Sequence, residues 1–246
     1  MDSGFYAACT GLMSKTQALD SVANNLANVN TSGYRSQRNQ FSSVLANASL
    51  SGSSPLNLAV NNYGVLGGTR LDMTQGSLEK TGNDLDFAVD GQGFFAVQTS
   101  AGRMYTRSGN FQIGASGQLI TAEGDPVLGE KGTINVSGGK VHVGADGTIS
   151  VDGAVAGRLK VVDFAPSTQL QAVGKTYYSA PPDSEIEAKL ASVQQGVIEG
   201  SNVNAVTTAV ELINVQRQAE MMERAMSLFN TDLDKSATED LPRVTT

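Results

Sequence analysis

The hydrophobic positions of this chain change period twice. From Val203 to Lys235, the residues Leu212, Val215, Ala219, Met222, Met226, Phe229 and Leu233 alternate steps of three and four, an apolar seam sustained over three heptads. The segment has no Gly or Pro, and Ser201-Asn202 stand where an N-cap belongs. The pattern predicts one helix of roughly 30 residues, about 45 Å long. At the other end Phe5, Cys9, Leu12, Thr16, Leu19, Ala23 and Leu26 repeat the alternation, predicting a helix from Ser3 to about Val29. One amphipathic rod buries too little surface to fold by itself. Each terminal helix therefore needs a partner, and each is the other's nearest candidate. Asn24 and Asn28 share a face, where their amides either bond across helices or face solvent at a helix end. Thr31-Ser32-Gly33 reads as the helix stop.

Between Thr69 and Phe164 the period falls to two. Leu85, Phe87 and Val89 alternate with polar residues, Asp90-Gly91-Gln92-Gly93 supplies a turn, and Phe95 and Val97 resume the apolar face, which predicts a β-hairpin. Short strands are expected near Met104-Tyr105, Phe111–Ile113, Leu119-Ile120, Val127-Leu128, Ile134–Val136, Val141–Val143, Ile149–Val151 and Leu159–Phe164. Such spacing describes an antiparallel sandwich or partly open barrel. The Ser-, Asn- and Gly-rich stretch from Tyr34 to Leu66 reads as a loosely held extension. A short helix is expected near Glu185–Ser192.

Two segments resemble each other: Gln75 to Thr81 and Gln195 to Ser201 share the pattern Gln-Gly-x-apolar-Glu-x-hydroxyl. One lies where the chain enters the β region and the other where it leaves. The expectation is a neck of two adjacent strands. The fold class is thus α+β, with long terminal helices pairing as a coiled-coil stem around a central all-β antiparallel domain. The expected division is residues 1–34, an N-terminal stem helix; 35–68, a linker; 69–200, the β domain with neck strands near 75–81 and 195–200; and 201–246, a C-terminal stem helix and tail.

Composition narrows the function. The net charge of −7 is spread as +1 over residues 1–50 (three basic, two acidic), −5 over 51–200 (ten, fifteen) and −3 over 201–246 (four, seven). Without a basic stripe, nucleic acid and anionic membrane are poor partners. No apolar run approaches the ~20 residues of a membrane span, and no secretory signal opens the chain, so a soluble protein that stays in the cytoplasm or leaves by another route is expected. The single cysteine, Cys9, reads as a small core residue.

Catalytic chemistry has little to work with. His142, the only histidine, alternates with Val141 and Val143 and is expected to face solvent, so neither a His pair for zinc nor a His-based triad can be assembled around it. Asp84 and Asp86 lack the further oxygen ligands of a calcium loop and read as a strand's polar face. Gly91-Gln92-Gly93 runs into Phe95 where a dinucleotide fingerprint needs its third Gly. Glu220 and Glu223 lie within four positions of Arg217 and Arg224, as ion pairs along a helix do. No enzyme, cofactor, metal or small-molecule substrate is expected.

Four motifs carry a family resemblance. The stretch from Gly11-Leu12 through Ala23-Asn24-Asn25-Leu26-Ala27-Asn28-Val29-Asn30-Thr31-Ser32-Gly33-Tyr34 resembles the N-terminal signature of the bacterial flagellar rod and hook axial proteins. So do Leu85-Asp86-Phe87-Ala88-Val89-Asp90-Gly91-Gln92-Gly93-Phe94-Phe95, Tyr105-Thr106-Arg107-Ser108-Gly109-Asn110-Phe111, and Glu199-Gly200-Ser201-Asn202-Val203-Asn204. The match spans nearly the whole chain in order. Two departures are Ser32, where the family usually has Pro, and Ala219, where an aromatic commonly follows Arg-x. The compact length argues against a hook protein.

The resemblance implies a structural subunit exported unfolded through the flagellar type III apparatus, polymerising helically in the periplasm as part of the drive shaft. A position between proximal and distal rod is the closer match, and the distal rod is the runner-up. Its partners would be itself and other rod proteins. The expected assembly interface comprises Leu12, Leu19, Asn24, Asn25, Leu26, Asn28, Asn202, Val203, Leu212, Val215, Met222, Met226 and Phe229. A different class, a secreted adhesin or phage-tail-like assembly protein, is the alternative.

Overall fold

The structure, a computed structural model, describes residues 2–42, 65–136, 138–188 and 190–239. It is α+β: in sequence order, helices Asp2–Ala27 and Ala205–Glu239 come before and after a mostly antiparallel β region. The chain forms two compact units. One holds Met1–Leu26, Arg38–Thr69 and Ala205–Thr246; the other holds Ala27–Gln37 and Arg70–Asn204.

On the C-terminal helix, Leu212, Val215, Ala219, Met222 and Met226 form the less exposed face together with buried Thr208, in the predicted heptad phase. Phe5, Phe229 and Leu233 lie outside the described side chains. The N-terminal helix differs from expectation. Among its described side chains the buried positions are Ala18, Ser21, Val22 and Asn25, one step around from Leu12, Leu19 and Leu26, which stay half-exposed, while Thr16 and Ala23 are exposed. Small residues at 18, 21 and 22 present less side chain to cover than leucine does, so heptad spacing alone did not identify the buried face.

In the β unit the six-stranded sheet runs Gln171–Val173, Tyr177–Ser179, Gly102–Thr106, Phe94–Thr99, Val161–Phe164, Glu185–Glu187. A three-stranded sheet (Val141–Val143, Thr148–Val151, Ala154–Arg158) and several strand pairs complete it, and the described residues form no closed barrel. Its centre is the strand Phe94–Thr99, which is buried on both faces. Phe95 and Val97 enter one core with Phe87, Phe111, Leu119, Val127 and Ile149; Phe94 and Ala96 enter a second with Tyr105, Val162, Phe164 and Tyr178. Alternation of side chains across a strand produces both layers from one element. Aromatic edges tie each together: the Phe95 and Phe111 ring centres lie 5.2 Å apart, and those of Tyr105 and Phe164 4.8 Å.

The predicted hairpin does not form. Phe87–Asp90 pairs with Ser192–Gln195, whereas Phe94–Thr99 pairs with Gly102–Thr106 and Val161–Phe164. The turn between them is a corner: Gly91 and Gly93 have φ of 95° and 146°, and the main-chain groups of a hairpin are satisfied elsewhere. Gln75 donates to the Val89 carbonyl and accepts from the Gly91 amide, and Arg107 donates to the carbonyls of Val89 and Gly91.

The expected helix near Glu185–Ser192 is instead two strands, Glu185–Glu187 and Ser192–Gln195. Both are held by distant strands that local propensity does not register. Asp86 is buried rather than on a polar face, accepting from the Thr81 hydroxyl at 2.6 Å and the Asn83 amide at 3.2 Å. His142 faces solvent between buried Val141 and Val143. Most of the stretch from Tyr34 to Leu66 lies outside the described residues, but its first residues, Tyr34 and Arg35, are almost fully buried.

Candidate functional site

Three separated stretches meet inside the β unit: Gly33 to Ser36, Arg107 to Gly109 and Glu199 to Asn202. The first follows the N-terminal helix directly. Asn28 accepts from the Thr31 amide and hydroxyl, the Tyr34 amide bonds the Thr31 carbonyl, and Gly33 turns the chain at φ 71°. A side chain at Gly33 would overlap the main chain of Arg107 and Ser108, so the close approach of these segments requires glycine.

The stretch that leaves the unit lies beside the one that enters it. The Gly33 amide donates to the Glu199 carbonyl at 2.8 Å, and the Asn202 amide to the Tyr34 carbonyl at 3.3 Å. Asn202 is not the helix N-cap, since the helix begins three residues later. Its side chain fastens three segments, accepting from the Ser36 amide at 2.7 Å and donating to the carbonyls of Asp72 and Thr74 at 2.9 and 3.0 Å. The two similar segments also meet: Leu78, Glu79 and Lys80 pair antiparallel with Glu199, Ile198 and Val197. Gly76 abuts the Gly200 carbonyl so closely that no Cβ fits.

At the centre one carboxylate serves two guanidiniums. Glu199 Oε1 lies 2.7 Å from Arg35 Nη1 and Oε2 3.0 Å from Arg107 Nη1, with all three side chains at most 3% exposed. Glu199 Oε1 also accepts from the Gly76 amide at 2.9 Å. Arg35 Nη1 donates to the Thr74 carbonyl at 2.5 Å; Arg107 Nη1 and Nη2 donate to the carbonyls of Val89 and Gly91 at 2.9 and 2.6 Å. Arg107 also stacks 5.2 Å over the Phe94 ring. Burial pulls the Arg107 guanidinium below its ordinary value, and Glu199 opposes this. Tyr178 completes the cluster: its hydroxyl accepts from the Arg35 amide at 3.0 Å and donates to the Gly33 carbonyl, and burial raises its pKa.

Several kcal/mol per ion are needed to bury such charges, so the cluster fixes which segments meet more than it adds net stability. It offers no nucleophile beside a base. Among the described residues no group of three His, Cys, Asp or Glu is placed to hold a metal, and no helix is long and apolar enough to cross a membrane.

A second ionic node closes the sheet edge. Glu185 accepts from Arg103 at 2.7 Å, Tyr105 at 2.6 Å and Lys160 at 2.5 Å. Burial pushes its carboxyl up, but bonds from Lys160, Tyr105 and Arg103 outweigh this and hold it at about 2, below the ordinary 4.5. A depressed carboxylate stabilises the fold fully above its unfolded pKa, and that contribution fades as pH falls from 4.5 toward 2. Urea midpoints of Glu185→Gln should therefore lie below those of the unmodified chain at pH 7 and converge with them near pH 2. A constant gap across this range would contradict the assignment.

Of the residues expected to form an assembly interface, Asn25 and Asn28 are buried, Asn24 is exposed, and Leu12, Leu19, Leu26, Asn202, Val203, Leu212, Val215, Met222 and Met226 are half-buried. Only Asn28 and Asn202 take part in the bonding just described. Arg35 was not singled out by any pattern. Arg107 and Glu199 stood within quoted motifs without a role, because a pairing across 92 residues leaves no local signature.

The β unit is riveted where its two connections to the terminal helices run together. Comparison with known proteins gives its family. The model for flagella basal body rod proteins matches residues 5–35, that for the flagellar hook protein FlgE/F/G D1 domain matches 88–151, and that for the flagellar basal body rod FlgEFG protein C-terminal region matches 194–239. The chain is 34% identical to the flagellar basal-body rod protein FlgF of Caulobacter vibrioides over 99% of its own length and 100% of the relative's. It is 35% identical to FlgF of Salmonella typhimurium over 92% and 94%, and 30% to FlgG of Agrobacterium fabrum over 89% and 92%. The chain belongs to the flagellar basal-body rod protein family. It is a structural protein of the basal-body rod and not an enzyme.

Proposed function

We propose that this chain is the FlgF-type rod subunit, polymerising helically through its terminal helices to form the part of the drive shaft between proximal and distal rod. The observation that carries this reading is the end-to-end match to the Caulobacter FlgF. The distal rod protein is the second reading, because relatives named FlgG also align over about nine-tenths of the chain at 30–31% identity. Complementation separates them: the chain should restore swimming to a strain lacking FlgF and not to one lacking FlgG. The reverse result would make it the distal subunit.

The stem is formed by the terminal segments, 1–34 and 201–246, pairing as a coiled coil. In support, a Cβ at Gly11 would lie 3.7 Å from the Met222 sulfur, so the helices approach where one has no side chain. The paired strands Leu78–Lys80 and Val197–Glu199 act as the neck of the β domain. Leucines that stay half-exposed in one chain gain cover in the polymer, so folding of the stem and assembly are coupled. The subunit reaches the periplasm unfolded through the type III export apparatus and docks there on its own kind and on other rod proteins.

Leu26→Asp or Met222→Asp places a charge in the seam, at a cost of several kcal/mol when buried. Either variant is expected to be absent from purified basal bodies while the β unit keeps its melting midpoint. Normal incorporation of both would refute the stem.

A further inference from the structure

The two similar segments, Gln75 to Thr81 and Gln195 to Ser201, each begin with a glutamine, and the two glutamines do the same thing. Gln75 Nε2 donates to the Val89 carbonyl at 3.0 Å while its Oε1 accepts from the Gly91 amide at 3.2 Å. Gln195 Nε2 donates to the Val141 carbonyl at 2.8 Å while its Oε1 accepts from the Val143 amide at 3.1 Å. In both places one carboxamide takes the carbonyl of a residue and the amide two positions further on. Those two groups point to the same side of an extended chain, and a neighbouring strand is their ordinary partner.

Both glutamines stand where no strand does. Among the described residues, Val141–Val143 is an outer strand paired with Thr148–Val151 alone, and Phe87–Asp90 is paired with Ser192–Gln195 alone. On the free side of Phe87–Asp90 the remaining groups are also taken: the Phe87 amide bonds the Gly109 carbonyl, and Arg107 shares the Val89 carbonyl and takes that of Gly91. An open strand edge is a template for a strand of another chain, and identical segments stack on one another readily. A carboxamide closes such an edge with a donor and an acceptor held on one carbon, and it offers no main chain on which a further strand could pair.

We propose that Gln75 and Gln195 are edge plugs, each standing in for the strand that would come next, and that Gln195 keeps Val141–Val143 from accepting a strand of a second copy of this chain. The internal repeat is then one device used twice: a plug, a glycine and a strand. Gln195 is half-buried and donates also to the Asp84 carbonyl at 2.8 Å, whereas Gln75 is exposed, so the larger effect belongs to Gln195.

Substitutions in the full-length chain test it. Gln195→Leu keeps the bulk of the side chain and removes both polar atoms. Hydrogen exchange at the Val143 amide is expected to quicken at least about tenfold, while the Gly144 amide, bonded to the Thr148 carbonyl, keeps its rate. Gln75→Leu should quicken Gly91 in the same way. On dilution from urea, Gln195→Leu is expected to form thioflavin-binding aggregates at a protein concentration at least about tenfold below that of the unmodified chain. Gly124→Ala, which strains a turn without opening an edge, controls for lost stability and should not do so. Gln195→Glu keeps the shape and the acceptor, but its second oxygen faces the Val141 and Asp84 carbonyls and must be protonated to donate. Those carbonyls raise its carboxyl pKa in the fold, so its penalty is present above the raised value and is lost as pH falls toward the ordinary 4.5. Its urea midpoint should therefore lie below that of the unmodified chain at pH 7 and approach it at pH 4. Unchanged exchange at Val143 or Gly91, aggregation of Gln195→Leu no greater than that of Gly124→Ala, or a midpoint gap for Gln195→Glu that ignores pH overturns the proposal. Should Gln195→Leu fail to fold, the pH dependence of Gln195→Glu decides alone.

Discussion

Replacing Glu199 by Gln is expected to lower the unfolding midpoint of the β unit by roughly 6–20 °C. The substitution keeps the shape of the side chain and removes its charge, leaving Arg35 and Arg107 buried together without a counter-ion. Breaking a buried pair from one side costs about 3–5 kcal/mol, and each kcal/mol moves the midpoint by about 2–4 °C in a domain of this size. Arg35→Met should cost less, although it deletes an ion pair. It leaves Glu199 matched one to one with Arg107 and removes Arg35 Nε and Nη2, which lack partners. Thermal melts of the two variants, followed by far-ultraviolet circular dichroism, make the comparison. Equal losses would show that the cluster acts through packing rather than through charge balance.

The other large effect is expected from a single methyl group. In Gly109→Ala the added Cβ would overlap the carbonyl oxygen of Phe87 and crowd its carbonyl carbon. Both atoms are main chain, fixed by the bond from the Phe87 amide to the Gly109 carbonyl at 2.9 Å, so no side chain can rotate away. Phe87 also anchors the larger core at 0% exposure, and moving its backbone disturbs that packing. A loss of at least about 4 kcal/mol is expected, near the upper end of what one substitution does. Gly124→Ala is the control: its Cβ would meet nothing within 4 Å, leaving only the strain of φ 94°, about 1–2 kcal/mol. Urea denaturation of both variants is the measurement, and comparable midpoints would contradict the close approach of Gly109 to Phe87.

Glu199 and Gly109 lie in motifs that the resemblance picked out, and neither effect was visible in the motifs. Tyr105 to Phe111 reads as a strand and a turn. Nothing local indicates that Gly109 touches Phe87 or that Arg107 reaches Glu199. The same limit explains the lost hairpin, where alternation around Asp90-Gly91-Gln92-Gly93 gave both strands correctly and their partners incorrectly. Strand pairing is decided by long-range hydrogen bonds, and the main-chain groups of Val89 and Gly91 are taken by Gln75 and Arg107.

What the sequence determined by itself was whatever repeats along the chain. The seven-residue spacing of Leu212 to Met226 set the less exposed face of the C-terminal helix, period-two runs located the core strands, and four ordered motifs sufficed for the family. Tertiary structure decided what depends on residues distant in sequence. It placed Phe94 and Phe95 in separate cores, selected Ala18 and Val22 rather than the leucines for the buried face of the first helix, and brought Arg35, Arg107 and Glu199 together. Periodicity is written in neighbouring residues, whereas a buried charge is tolerated only where folding supplies its partner.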